Sequence, residues 1–224
     1  MEQPVIQEIE DGTQTLYSPH FKQYYHSLFG AKQESNRVFL EVGLQEAFHR
    51  FSEIHLLEIG WGTGLNSLLS WELAQRESRS ITYEGLEAFP LKKEMVETIN
   101  LGLEPHQQQK LIHLHELSWG ENHVVDSLFS LTKINQKIEE FTPLKPYNLV
   151  YYDAFAPESQ PEMWTESIFQ RLREWMVEGG FLTTYCSKGY VQRNLKAAGF
   201  AVEKHAGPRR KREMIRAIKL GSVG

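Results

Sequence analysis

The apolar run Leu56-Leu57-Glu58-Ile59 ends in three alternating glycines, Gly60-Trp61-Gly62-Thr63-Gly64, and then opens at Leu65-Asn66 into a helical pattern. A strand, a tight turn and a helix in that order constrain the chain to an α/β unit with a ligand-binding loop at the strand end. A dinucleotide fingerprint needs G-x-G-x-x-G, and the third glycine fails at Leu65. The spacing Glu58-x-Gly60-x-Gly62-x-Gly64 instead suits S-adenosylmethionine, a cofactor without phosphate whose amino-acid end and ribose can lie against glycine backbone. A glycine-rich turn with no ligand is the bland alternative, but three alternating glycines each forfeit packing and backbone entropy.

The rest of the chain alternates strands and helices. The pattern predicts a helix over Leu65 to Arg76 and a strand over Ile81 to Glu87. A helix from Pro90 through Leu101 follows, with strands at Phe129 to Ile134 and Tyr147 to Tyr152. Pro161 to Met176 reads as a helix closed by Gly179-Gly180 before a strand at Phe181 to Tyr185. Val191 to Ala198 reads as a short helix, and two final strands, Phe200 to Lys204 and Met214 to Lys219, have no crossover helix between them and must pair antiparallel. The expected fold is α/β: a doubly wound, mostly parallel sheet with a C-terminal antiparallel hairpin, the class I S-adenosylmethionine-dependent methyltransferase architecture. Residues 1–50 read as an N-terminal extension packed on a catalytic domain spanning 51–224, with Val38-Phe39-Leu40 a short strand and Leu44 to Phe51 helical.

In such a sheet the ligand lies outside the carboxyl ends of the strands. Glu58 ends the first strand, and Glu87 ends the second, where a carboxylate can accept from both ribose hydroxyls. Asp153-Ala154-Phe155-Ala156-Pro157 follows the next central strand. A carboxylate there can position an amine and take a proton from it, freeing the lone pair to attack a sulfonium methyl in line. Phe155 can stack on a base, and Pro157 can fix the bend.

Composition narrows the partners. No run of about 18 apolar residues exists, and Met1-Glu2-Gln3-Pro4 lacks the order of a signal peptide, so a cytoplasmic protein without membrane contact is expected. The single cysteine, Cys186, builds neither a disulfide nor a cysteine zinc site, and nine scattered histidines give no reason to expect a metal. Net charge is −5, yet ten Lys/Arg against two acids fall between Lys188 and Lys219, including Arg209, Arg210, Lys211 and Arg212. A basic patch on an acidic body suits a polyanion docked at one place. A solvated charged face is the plainer reading of the same run.

These motifs resemble a family, the tRNA 5-aminomethyl-2-thiouridine methyltransferases, which form the N-terminal half of the bifunctional wobble-uridine enzyme MnmC and also occur as standalone proteins. The resemblance rests on Glu34, Val38-Phe39-Leu40, the Gly60-to-Asn66 block, Glu87-Ala88-Phe89-Pro90, Asp153-Ala154-Phe155-Ala156-Pro157 with Pro161-Glu162-Met163-Trp164, and Gly207 with Lys211-Arg212-Glu213-Met214. It implies that Glu58, Gly60, Trp61, Gly62, Thr63, Gly64, Asn66, Glu87 and Ala88 hold S-adenosylmethionine and that Asp153 handles the substrate amine. Ser187, Lys188, Gly189, Arg193 and the Lys211-Arg212 loop would face tRNA at its anticodon wobble uridine. Two positions depart from the family. Trp61 stands where Phe is usual, and Asn135-Gln136-Lys137 stands where an acidic residue usually touches adenine, which leaves the adenine contact open. The resemblance covers no flavin-dependent oxidase half, so the expected substrate is an aminomethyl-uridine that is already exposed. Three other readings stay open at this point: a nicotinamide dehydrogenase, an aminopropyltransferase on the same sheet, and a noncatalytic RNA-binding module.

Overall fold

A computed structural model describes residues 3–8, 12–25, 31–207 and 213–221. The basic run Arg209, Arg210, Lys211 and Arg212 lies outside the described residues.

Three short strands begin the chain: β1 (Val5–Glu8), β2 (Gln14–Ser18) and β3 (Gln23–Tyr24) form a small antiparallel sheet. A helical run follows as α1 (Ala31–Ser35), a π-helical segment (Asn36–Gln45) and α2 (Glu46–Arg50). Val38-Phe39-Leu40 is therefore helical and not the strand the sequence suggests. A three-residue apolar run carries no period of its own, and here the wide π turn lays Val38, Phe39 and Leu40 onto the sheet face as buried residues.

The main sheet has eight strands. Its members are β4 (Ile54–Ile59), β5 (Ile81–Leu86), β6 (Asn122–Val124), β7 (Phe129–Ile134), β8 (Tyr147–Tyr152), β9 (Met176–Thr184), β10 (Phe200–Ala206) and β11 (Glu213–Lys219), in the order β10-β11-β9-β8-β4-β5-β7-β6. The central pairs β7–β5, β5–β4, β4–β8 and β8–β9 are parallel, while β9–β11, β11–β10 and β7–β6 are antiparallel. The expected terminal hairpin is present, with Phe200 opposite Lys219 and Ala206 opposite Glu213. Chain direction across the sheet reverses at β4, which has β5 on one side and β8 on the other, and this switch point opens a crevice at the carboxyl ends.

The helices are α3 (Leu65–Glu77), α4 (Lys93–Thr98), α5 (Pro105–Glu116), α6 (Glu166–Glu174) and α7 (Gly189–Ala197). Because strand side chains alternate in direction, Leu56, Tyr83, Leu149 and Tyr151 pack one face with Leu68, Leu111 and Phe39, and Leu57, Ile59, Val150 and Tyr152 pack the other with Phe169, Leu172 and Leu195. Both faces are covered, which is why β4 and β8 read as nearly continuous apolar runs.

Three helix boundaries differ from the sequence reading. The helix expected from Pro90 to Leu101 is only Lys93–Thr98, because Asn100 turns to the small sheet: Gln14 N donates to its carbonyl at 2.6 Å and its own N donates to Gln14 Oε1 at 2.9 Å. The helix expected over Pro161 to Met176 is divided into a 3-10 turn (Pro161–Trp164) and α6, with Thr165 capping α6 through a hydrogen bond from Ile168 N. Gly179-Gly180 does not close that helix but lies inside β9, where the pairing with β8 shifts register between Tyr147 and Leu149. Strands β1, β2, β3 and β6 and helix α5 were not legible, being short edge elements or a helix in a polar histidine-rich stretch.

Gly85 in β5 shows how tightly the glycine loop is backed. A Cβ there would lie 2.8 Å from Cγ of the Trp61 indole, which is 2 % exposed. Gly85→Ala is expected to lower stability by about 1–3 kcal/mol through overpacking. A chemical-denaturation midpoint equal to wild type would show that Trp61 has room to move.

Candidate active site

The loop leaving β4 is built on left-handed glycines: φ is +85° at Gly60, +51° at Gly62 and +76° at Gly64. Gly60 also sits against the next strand, since a Cβ on it would meet the Asp153 carbonyl oxygen at 2.7 Å. The loop is fixed by Gly60 N donating to Leu86 O at 2.9 Å and Asp153 N donating to Ile59 O at 3.0 Å. From behind, His115 Nε2 donates to Thr63 O at 2.9 Å; a carbonyl can only accept, so this nitrogen carries the proton. Lys133, fully buried, donates to His115 O at 2.8 Å and lies over the rings of Trp61 and Trp119.

In front of the loop is a cavity of about 800 Å³, in the range of small-molecule sites. Of the residues picked from the sequence, Gly60, Trp61, Gly62, Thr63, Asn66, Glu87, Ala88, Asp153 and Phe155 line it. Glu58, Gly64 and Pro157 do not. Glu58 lies behind Asn66 at 1 % exposure, with Tyr83 OH at 2.6 Å and Asn66 Nδ2 at 2.7 Å donating to its two oxygens. A Cβ at Gly64 would meet Trp61 and His115, so this glycine serves the packing behind the loop. Pro157 is buried in the turn after Ala156. The Trp61 indole likewise points inward, donating to Ser67 Oγ at 3.1 Å and stacking near His115, so at the cavity only the loop position of Trp61 counts.

Glu87 accepts from Gly62 N at 2.9 Å through one oxygen and from Phe89 N at 2.8 Å through the other. The Ala88 N–H faces the same carboxylate, which keeps capacity for one more donor, and burial raises the carboxyl above the usual range. Asn135 stands beside it, donating to Glu87 O at 2.9 Å, and the wall beyond is made by Gln136, Lys137, Ile138, Glu139 and Glu140. Glu139 and Glu140 place carboxylates on this wall, with four residues between them and the end of β7, and so outside the position the sequence pattern pointed to.

At the other end Asp153 faces the cavity. Asn66 Nδ2 reaches Asp153 Oδ2 at 3.0 Å as well as Glu58, so the amide must present its NH₂ to these carboxyls. Its Oδ1 is then buried with no hydrogen-bond partner. An orphaned acceptor on a residue that lines the cavity fits a ligand that brings a donor, and the amino group of S-adenosylmethionine is one. Burial first, and the charge of Glu34 second, push Asp153 up to about 8. Glu34, Tyr25, Phe21, Met163 and Tyr185 also line the cavity, and none was singled out as a site residue from the sequence. Tyr185 OH donates to Ala154 O at 2.8 Å, tying the β9 end to the Asp153 loop.

Ser187, Lys188 and Arg193 do not line the cavity. Ser187 and Lys188 follow β9 at the same edge of the sheet, Lys188 pairs with Glu158, and Arg193 is exposed on α7. Among the described residues, no cluster of metal-ligand side chains is found, and no helix is long and apolar enough to cross a membrane.

A family model described as S-adenosyl-L-methionine-dependent methyltransferase matches residues 102–220, more than half the chain. The bifunctional tRNA 5-methylaminomethyl-2-thiouridine biosynthesis protein MnmC of Cupriavidus metallidurans is 30 % identical over 218 residues, covering 89 % of this chain and 32 % of that protein. The same protein of Pseudoalteromonas atlantica is 30 % identical over 236 residues, covering 95 % and 33 %. The chain thus spans about a third of the length of these relatives. Among solved structures, MNMC2 from Aquifex aeolicus superposes with a TM-score of 0.82 at 24 % identity, covering 99 % of this chain and 72 % of that one. A class I methyltransferase from Listeria monocytogenes gives 0.50 at 11 % identity, covering 81 % and 58 %. With the family model matched over β6 to β11 and the glycine loop and carboxylates gathered at one crevice, the chain belongs to the S-adenosyl-L-methionine-dependent methyltransferase family.

Proposed function

We propose that this protein methylates the exposed amine of a 5-aminomethyl-uridine, with or without a 2-thio group, at the wobble position of tRNA. The observation that carries the reading is Asp153: a carboxyl at the cavity end, positioned by Asn66 and raised to about 8. Similarity to the MnmC proteins supports the choice of nucleic acid.

Gly60, Gly62 and Thr63 would hold the amino-acid end and ribose side of S-adenosylmethionine, Asn66 Oδ1 would accept from its ammonium, and Glu87 would accept from ribose hydroxyls. Bound there, the cofactor supplies an electrophilic methyl on a sulfonium sulfur. Asp153 orients the substrate nitrogen and takes its proton. An alkyl ammonium titrates near 10, so a carboxyl of ordinary strength is about six units too weak a base, and a group at about 8 narrows the gap to roughly two. Phe155 gives the base a face to stack on, while Ser187, Lys188, Arg193 and the run Arg209, Arg210, Lys211 and Arg212 would meet tRNA phosphates. With hypomodified tRNA and methyl-labelled cofactor, label is expected in the 5-methylaminomethyl nucleoside after digestion; label in another nucleoside would assign a different target.

Asp153→Asn should lower kcat by about 10²–10⁴-fold with cofactor affinity within a few-fold. Near-normal turnover would make Asp153 structural. The same variant tests the raised pKa. The folded protein holds the Asp153 proton more tightly than the unfolded chain does, so the stability this proton adds is present at pH 4 and lost as pH rises through about 8. Asp153→Asn is therefore expected to melt with wild type near pH 4 and above it at pH 8.5, by about 2–4 °C per kcal/mol for a chain of this size. A constant difference across that range would mean Asp153 is ionised throughout. Neutralising Arg209 and Arg210 together should raise the tRNA KM, and each lost phosphate contact should cut the log–log salt slope by about 0.7–0.9. An unchanged slope would leave these arginines as a solvated face.

A further inference from the structure

The connection between β2 and β3, residues Pro19 to Lys22, hangs over the cavity mouth. Its Phe21 ring stacks on Phe155 with centroids 4.5 Å apart and planes 27° apart, and it also meets Phe89 at 5.6 Å. Phe21, Phe89 and Phe155 all line the cavity and are half-buried, so three apolar rings from three separate parts of the chain converge where a substrate must enter. Tyr25 makes a T-shaped contact with Phe155 at 5.0 Å, so Phe155 already has two aromatic neighbours at the cavity.

We propose that Phe21 is the second jaw of an aromatic clamp, and that the substrate's pyrimidine ring inserts between Phe21 and Phe155. This inference rests on the proposed function above and adds to it a residue that selects the substrate. Two stacked layers at about 3.4 Å each require the rings to part from 4.5 Å to about 7 Å. The turn is built to allow it. β2 and β3 pair through two residues on each strand with one further hydrogen bond, from Tyr25 N to Leu16 O at 2.8 Å, on the side away from the turn; the Gln23 side chain meets the Asp153 loop through one hydrogen bond from Ala156 N at 3.0 Å, and Lys22 holds a left-handed φ of +52° that an L residue seldom adopts. A slot between two apolar ring faces rewards a planar π system on both sides and offers little to a flexible aliphatic amine. The clamp thus directs Asp153 to an amine carried on a base.

The test is steady-state kinetics with hypomodified tRNA bearing 5-aminomethyluridine at the wobble position. Phe21→Ala should raise the tRNA KM roughly 5- to 100-fold, the range for loss of one base–aromatic stack, with kcat at saturating tRNA and cofactor Kd within a few-fold. Phe21→Tyr should restore the KM, and Phe21→Leu, which keeps apolar bulk and guards against a folding defect, should not. A KM unchanged or lowered in Phe21→Ala, or restored equally by Phe21→Leu, overturns the clamp; a lowered KM would mean that Phe21 plugs the base site. If wild type methylates this tRNA and Phe21→Ala is indifferent, only the clamp falls. If wild type methylates no such tRNA, the function and the clamp fall together.

Discussion

The contact on which this structure depends is the one between the ends of two neighbouring parallel strands, where Gly60 lies so close to the Asp153 carbonyl that a side chain on it would strike main chain. Main chain cannot yield as a flexible side chain can. That contact brings the glycine loop after β4 and the Asp153 carboxyl after β8 to one point, and the hydrogen bond from Asp153 N to Ile59 O holds them there. Asn66, one helical step beyond the loop, then spans Glu58 and Asp153 with a single amide group. The arrangement of the candidate site is thus a by-product of sheet register, with one polar side chain adjusting it.

Much of this was readable from residues alone where long apolar runs or glycine spacing imposed a conformation. β7 and β8 have the bounds the alternation gave them, α3 and the terminal hairpin differ by a residue or two, and the crevice lies at the strand ends. The failures share a cause. Val38-Phe39-Leu40, Leu91 to Leu101 and Gly179-Gly180 are segments in which local preference is weak and a distant partner decides: the sheet face for the first, Gln14 for the second, the neighbouring β8 for the third. At the site the glycines, Glu87 and Asp153 announced themselves by position after strands. Phe21 and Tyr25 did not, since an N-terminal segment of mixed polar and aromatic residues carries no signal that it will line a cavity built more than thirty residues later, and Glu34 stood out only through the family resemblance and without a role.

Reading a motif also risks assigning to the ligand what belongs to the scaffold. Glu58 and Gly64 sit within the glycine block, yet one is buried and held by Tyr83 and Asn66 and the other makes room for Trp61 and His115. Their requirement is as strict as that of a ligand contact, and its origin is packing. The aromatic at position 61 belongs to the same layer, fitted into the space that Gly85 leaves.

His115 gives the two ends of the crevice different temperaments. Burial lowers its imidazole to about 4, so it stays neutral and keeps donating to Thr63 throughout the pH range in which cells live, while the carboxyl at the opposite end titrates near 8. The hydrogen bond that backs the glycine loop is therefore unchanged across that range, whereas the charge of Asp153 is not. Acidification would thus protonate one end of the crevice while the hydrogen bond behind the glycine loop stays as it is.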